Sequence, residues 1–326
     1  MVDETFHLPA ARQASTAASL SRVAEPADVE QAILVALLRT RPGGRTWQRL
    51  VSEIIDTGSA TAVWETLYQP SLFDEVDPAD AAAVAEATRD IAAWRAAGLH
   101  FRTFRDDDYP AQLREIHQLP PVLFGLGKLL PDDRAVAVVG SRHATPASLR
   151  WARDIAEALV DAGITVTSGL ATGIDTAAHL GALEAGGRTV AIIGTGINRA
   201  YPQENERLQR RIASDGLVLS QFWPDAPPSK ASFPMRNATM SGYGRGTIIV
   251  EAGETSGARI QARLAVEHGR PVILRADVLA TEWANKLKKR PGVYVTSSIA
   301  ETMEVVRETT RELDEFLWDL VPDVLA

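Results

Sequence analysis

The chain has 326 residues, 45% of them hydrophobic and 23% charged, which fits a folded protein with one dominant core and a smaller second part. It contains no cysteine, and this excludes disulfide frameworks, cysteine zinc sites, iron–sulfur ligation and thiol nucleophiles. A net charge of −8 argues against coating nucleic acid over the whole surface and leaves room only for a local basic pocket.

Residues 1–25 lack apolar periodicity and read as a flexible tail without the charged and apolar regions of a secretory leader. From Ala32 onward Ile33, Leu34, Leu37 and Leu38 recur at helical spacing, and Trp47, Leu50, Val51, Ile54 and Ile55 repeat it. Further helices fit Ala60–Tyr68 and Pro78–Ala97, so a small all-helical module is expected over 26–98. The stretch from His100 to Lys128 reads as connecting structure with one short strand at Val122–Phe124. Strands are then expected at Val136–Val139, Ile164–Thr167, Val190–Ile193, Leu217–Leu219, Thr247–Val250, Val272–Leu274 and Val293–Val295. Between them lie helical patterns, one opened by Thr145 and Pro146 and followed by Gly163, another running from Ser256 to His268 before Gly269. Strands that are apolar throughout and separated by helices imply an α/β, doubly wound, mostly parallel sheet over 99–310, with a C-terminal helical tail over 311–326. No apolar run approaches the roughly 20 residues of a membrane span, and a cytoplasmic location is expected.

Such folds bind ligands at the carboxyl ends of their strands. Three consecutive strand ends here carry glycine beside a hydroxyl residue: Gly140-Ser141-Arg142, Ser168-Gly169 through Gly173, and Gly194-Thr195-Gly196. Glycine lets backbone approach a ligand and turn its amides inward, and helix N-termini add partial positive charge, so the edge suits a phosphate. The P-loop pattern is absent, and Gly194-Thr195-Gly196 lacks the third glycine of a dinucleotide fingerprint, which makes an ordinary ATPase or a hydride-transfer enzyme a poor reading. Arg142 is placed to grip phosphate, with a salt bridge to a neighbouring helix as the alternative. Asp175 and His179, four apart, share a helix face and admit a metal pair, a proton relay or simple capping by Asp175. Phe233-Pro234-Met235-Arg236-Asn237 reads as a loop offering an aromatic ring to stack a base, a cation for its phosphate and an amide. Glu251 ends a strand ahead of Ser256 and Gly257 and reads as a ligand contact or a catalytic carboxylate. The cationic clusters at Arg207, Arg210 and Arg211 and at Lys286, Lys288, Lys289 and Arg290 read as solvated helix faces or as an extension of the pocket, with Trp283 either packed with Leu287 or stacking a base.

Taken in order, Asp108-Tyr109-Pro110, Pro120-Pro121-Val122-Leu123-Phe124, Val138-Val139-Gly140-Ser141-Arg142, Ser168-Gly169-Leu170-Ala171-x-Gly173-Ile174-Asp175-x-x-Ala178-His179, Gly194-x-Gly196, Tyr201-Pro202-x-x-Asn205, Phe233-Pro234-x-Arg236-Asn237, Val250-Glu251-Ala252 and Ser256-Gly257 resemble the DprA/Smf family of DNA-processing proteins. The resemblance spans about residues 30–275 and implies a helical module of the sterile-alpha-motif or helix-hairpin-helix type followed by an extended Rossmann-like domain. It also implies a non-enzymatic homodimer that binds single-stranded DNA, uses no cofactor and assists a recombinase of the RecA type during natural transformation. The chain departs from the family pattern at Ala238, where a second arginine is usual, at Gln221, where glutamate is usual, and at Arg275-Ala276-Asp277, in place of a Pro-Gly turn. Glu312–Ala326 is expected to form a terminal helix rather than the winged-helix module of many members. A nucleotide sensor, or a nucleotide-cleaving enzyme acting through Glu251 in the same pocket, is the competing expectation.

Overall fold

The structure, a computed structural model, describes the backbone of residues 26–68 and 78–319 and the side chains of residues 28–68 and 81–310. The tail expected over residues 1–25 lies outside the described residues. The chain divides into two compact units, one formed by Met1–Gly44 with Glu53–Arg89 and the other by Arg45–Ser52 with Asp90–Ala326.

Four helices open the chain: α1 (Pro26–Thr40), α2 (Trp47–Thr57), α3 (Ala60–Leu67) and α4 (Pro78–Ala96). In the first unit Glu30 of α1 fixes the start of α3, accepting from the Ser59 hydroxyl at 2.7 Å and from the amides of Ala60 at 2.8 Å and Thr61 at 3.2 Å. Partial burial works against the Glu30 charge, but these donors at a helix N-terminus outweigh it and hold the carboxyl below its ordinary range.

The second unit continues with β1 (His100–Thr103), β2 (Val122–Gly127), β3 (Ala135–Val139), α5 (Pro146–Asp161), β4 (Thr165–Ser168), α6 (Ile174–Glu184), β5 (Thr189–Ile192), α7 (Glu206–Asp215) and β6 (Leu217–Ser220). It is completed by α8 (Ser232–Tyr243), β7 (Thr247–Ile249), α9 (Gly257–Glu267), β8 (Val272–Arg275), α10 (Glu282–Leu287), β9 (Val293–Thr296) and α11 (Ile299–Asp319). The nine strands form one sheet in the order β1-β2-β6-β5-β4-β3-β7-β8-β9. Strands β6 to β9 in that order pair in parallel, whereas β2 is antiparallel to β6 and β1 antiparallel to β2. The fold is thus α/β and mostly parallel, and every strand expected after residue 130 is present.

Two local expectations are corrected. The stretch from His100 to Lys128 is not merely connecting structure, because β1 and β2 extend the sheet at its antiparallel edge. Residues Phe233–Asn237 are not a loop but the first turns of α8. Pro234 is compatible with this because the first-turn amides of a helix have no intrahelical acceptor to lose.

The core lies on the parallel strands: Val136 and Val138 of β3, Val166 of β4 and Ile248 of β7 pack with Ile155 and Leu159 of α5 and Ala178 and Ala182 of α6. Met303 and Val306 of α11 close the same cluster. From β3 the chain winds outward through β4, β5 and β6, then returns to the other side of β3 for β7, β8 and β9. That reversal opens a crevice beyond the carboxyl ends of β3 and β7, the place where doubly wound sheets hold ligands.

Candidate functional site

A cleft of about 480 Å³ occupies this crevice. The turn after β3 supplies Gly140, Ser141 and Arg142, the turn after β7 supplies Gly253, Thr255 and Ser256, and α8 supplies Phe233, Arg236 and Asn237. Gly257 and Gln261 of α9 form one wall, and Asp175 of α6 lies at the floor. Ser256 caps α9, its side chain accepting from the Ala258 amide at 3.2 Å, so the positive end of an 11-residue helix faces the cleft. A side chain grafted at Gly253 or Gly257 would meet nothing within 4 Å, which makes this stretch of backbone open to a ligand.

The exposed Arg142 guanidinium lies 5.7 Å from the centre of the Phe233 ring, and Tyr201, itself 42% exposed, lies 5.6 Å beyond at a tilt of 42°. A cation and two aromatic rings thus follow one another, Arg142 and Phe233 at the cleft and Tyr201 beside it. Tyr201 borders a smaller adjoining hollow of about 50 Å³, which Arg142 and Phe233 share with the first cleft and to which Gly169 and Gly194 contribute.

Arg236 behaves differently from Arg142. It is 6% exposed, and its Nη1 donates to the Ile192 carbonyl at 3.0 Å. Burial lowers its pKa, the Asp175 charge opposes that shift and the nearby Arg142 reinforces it. Asp175 is the counterpart: burial raises its carboxyl pKa, while Arg236 and the amides of Gly169 and Ala171, at 3.2 and 3.3 Å, favour the ionised form. Asp175 therefore does not cap its own helix. It holds the turn before it, where Leu170 adopts φ 57, a conformation uncommon for a non-glycine residue. Asn205 secures the same turn from α7's N-terminal side, donating to the Leu170 carbonyl at 2.9 Å.

The remaining residues singled out in the sequence serve the frame. Ser168 donates its hydroxyl to the Val138 carbonyl at 2.7 Å. Gly173 takes φ 81 directly beneath the Ser141 and Arg142 backbone, a place and conformation that no side chain fits. Gly194 faces the Phe233 ring, where a Cβ would come within 2.8 Å, and Gly196 packs against the backbone of Trp223 and Pro224. His179 turns away from Asp175, its Nδ1 lying 2.7 Å from the Thr189 hydroxyl. Burial and the Arg236 charge lower its pKa to about 3. Glu251 reaches across to the start of α5, accepting from both the amide and the hydroxyl of Thr145 at 3.0 Å. Its partial burial disfavours the charge, but the bonds from Ser148 and Thr145 prevail and keep the carboxyl below its ordinary range. Lys286 and Arg290 line a second cleft, while Lys288 and Lys289 are exposed and border neither.

Residues 100–309 match the profile of the family described as DNA recombination-mediator protein A. The chain belongs to that family. Protein Smf of Synechocystis sp. is 43% identical over 179 residues, 53% of this chain and 44% of that protein. DNA processing protein DprA of Streptococcus pneumoniae is 45% identical over 168 residues, 51% of this chain and 59% of that protein, so the matches span about half the length of these curated relatives. The X-ray structure of the pneumococcal DprA superposes with a TM-score of 0.62 at 28% identity, covering 85% of this chain and 95% of that one. DNA processing protein A of Helicobacter pylori, solved for its single-stranded DNA binding mode, superposes with a TM-score of 0.57 at 26% identity over 64% of this chain and 96% of that one. Within the family's matched segment fall all the cleft residues named above. Tyr201, Asn205 and Gly253 had no role assigned from sequence, although Tyr201 and Asn205 stand in a motif of the resemblance. Among the described residues no helix is long and apolar enough to cross a membrane.

Proposed function

We propose that this protein binds single-stranded DNA in the cleft beyond β3 and β7, without cleaving it, and presents the strand to a recombinase of the RecA type during recombination or transformation. The observation that carries this reading is the row that runs from Arg142 and Phe233 at the cleft to Tyr201 in the adjoining hollow, with the N-terminus of α9 on the cleft's other side. Aromatic faces stack bases of any sequence, and the cation and helix end take phosphates, the combination used for single strands. A duplex hides its base faces and lacks this complement. The single-stranded DNA binding named for the Helicobacter pylori relative supports the same reading. Glu251 is held ionised, which does not suit a general acid, and it is bonded to Thr145 at the start of α5 and does not line the cleft, which does not suit an attacking group on a nucleotide. We place the protein in the cytoplasm as a homodimer, the form in which a strand can engage two clefts.

The test is anisotropy of a labelled single strand in competition with unlabelled single strand, duplex of the same sequence and nucleoside monophosphates. Single strand competes best. Equal competition by a mononucleotide, or base released from it on incubation, would establish the sensor or nucleotide-cleaving alternative instead. Dimer mass is read by light scattering, and recombinase loading by filament assembly on strands precoated with a single-strand-binding protein.

A further inference from the structure

The turn that rims the first cleft also borders a second. Gly253, Thr255 and Ser256 face the first, whereas Glu254 lines a separate cleft of about 320 Å³ formed with α9 and α10. Helix α9 parts the two by its own period: Ala258 and Gln261 line the first, while Arg259 and Arg263, four apart, line the second. Lys286 of α10 and Arg290 just beyond it add two more cations. Only Glu254 and Glu282 oppose these four among the lining residues, so the cleft is locally basic in a protein whose net charge is −8.

The acids leave much of that charge available. The pair of Lys286 with Glu282 is 3.6 Å long, with side chains 80% and 83% exposed, and Arg263 reaches Glu267 on its own helix at 3.4 Å with 64% exposure. Arg290 makes no ion pair among the described residues. Trp283 is 6% exposed and its indole N–H donates to the Gly253 carbonyl at 3.2 Å. The ring is therefore committed to packing, and its bond fastens α10 to the rim of the first cleft. A surface with cations and no free aromatic face recognises phosphates rather than bases.

We propose that the cleft between α9 and α10 takes the sugar-phosphate backbone of the strand held in the first cleft, which crosses between them over the bare backbone of Gly253 and Gly257. This rests on the single-stranded DNA reading given above. The extension is blind to sequence, lengthens the occupied site and steepens its salt dependence.

The experiment compares wild type with Lys286→Glu/Arg290→Glu on oligo(dT) of about 20 nucleotides and of about 4, a length near the lower limit of one single-strand site. For the longer strand the variant's plot of log affinity against log salt is shallower by about 1.4, at about 0.7 per lost phosphate contact. Wild type consequently loses about sevenfold more affinity than the variant between about 50 and 200 mM salt. The short strand binds both proteins alike. Glu282→Gln, which removes an acid from the cleft, tightens binding of the long strand and shows that the effect is not misfolding. If the double variant keeps the wild-type slope while Arg142→Ala weakens both lengths, the second cleft is overturned and the first stands. If wild type binds neither strand, both readings fall together. A change in particle mass by light scattering without a change in slope would make this cleft a contact between copies and overturn the proposal.

Discussion

Replacing Arg236 by methionine tests what supports the floor of the binding cleft. Arg236 is 6% exposed, and its charge is balanced in the interior by Asp175, itself 6% exposed. Methionine fills most of the volume, so the cavity contribution is small, and the cost comes from leaving a buried carboxylate without its cation. Breaking a buried pair from one side costs about 3–5 kcal/mol, and because Arg236 and Asp175 interact through space without a direct hydrogen bond the lower end, about 3 kcal/mol, applies. For a unit of this size that lowers the melting temperature by about 6–12 °C, at about 2–4 °C per kcal/mol. Asp175 gives the loss a pH signature. Without Arg236 its folded pKa rises further above the unfolded value, so the variant is less destabilised at pH 5, where the carboxyl more readily takes a proton, than at pH 7. Adding Asp175→Asn to Arg236→Met removes the stranded charge while its amide oxygen still accepts from Gly169 and Ala171, and recovers most of the stability. Differential scanning calorimetry of wild type, both single variants and the double variant measures the coupling. A melting temperature for Arg236→Met within about 2 °C of wild type at pH 7 would refute the reasoning and return Arg236 to the role of a surface ligand.

Gly169→Ala puts a methyl group onto the Arg236 guanidinium, and overpacking of this kind costs about 1–3 kcal/mol or more; Arg236→Met relieves part of it in calorimetry, whereas additive losses would disprove the contact. Tyr201→Ala leaves the melting temperature nearly unchanged, because the ring is 42% exposed, but weakens an oligonucleotide about fivefold to 150-fold through loss of about 1–3 kcal/mol of stacking. His179, with a folded pKa of about 3 against an ordinary 6.5, contributes stability that is complete above about pH 6.5 and is lost as pH falls, since the unfolded chain takes up the proton first. The loss is about 1.4 kcal/mol per pH unit, and His179→Gln removes that component from denaturation curves between pH 6 and 4.5. Asp175, with its raised pKa, slopes the opposite way in part of this range, so the difference between the two proteins is the quantity to read.

The parallel strands were legible because each is a short, mostly apolar run and most are closed by glycine or a hydroxyl residue, and their carboxyl ends locate the crevice once the winding order is known. Strand β1 was not, because His100–Thr103 carries one large apolar side chain between His100 and Arg102 and its identity as a strand comes from pairing with β2. The glycines misled in part. Gly194 and Gly196 look like ligand turns, yet their missing side chains make room for Phe233 and for the Trp223–Pro224 backbone, partners distant in sequence. Arg236 looked like a surface cation because its compensation comes from Asp175 on α6 and a carbonyl of β5, neither of which a local pattern reveals. Of the second cleft the sequence offered Lys286 and Arg290 as an extension of the pocket but not its α9 side, for a similar reason: Arg259 and Arg263 are an ordinary charged helix face until α10 is laid beside them.

The central claim, that the cleft at β3 and β7 holds a nucleic-acid strand through Arg142 and its aromatic neighbours, is tested most directly by titrating oligo(dT) against wild type and Arg142→Ala over a range of salt. Wild-type affinity falls log-linearly as salt rises, and Arg142→Ala weakens binding equally for all sequences while making the slope shallower by about 0.7. A wild-type slope of zero, or an Arg142→Ala protein that binds as wild type does at every salt concentration, would contradict it.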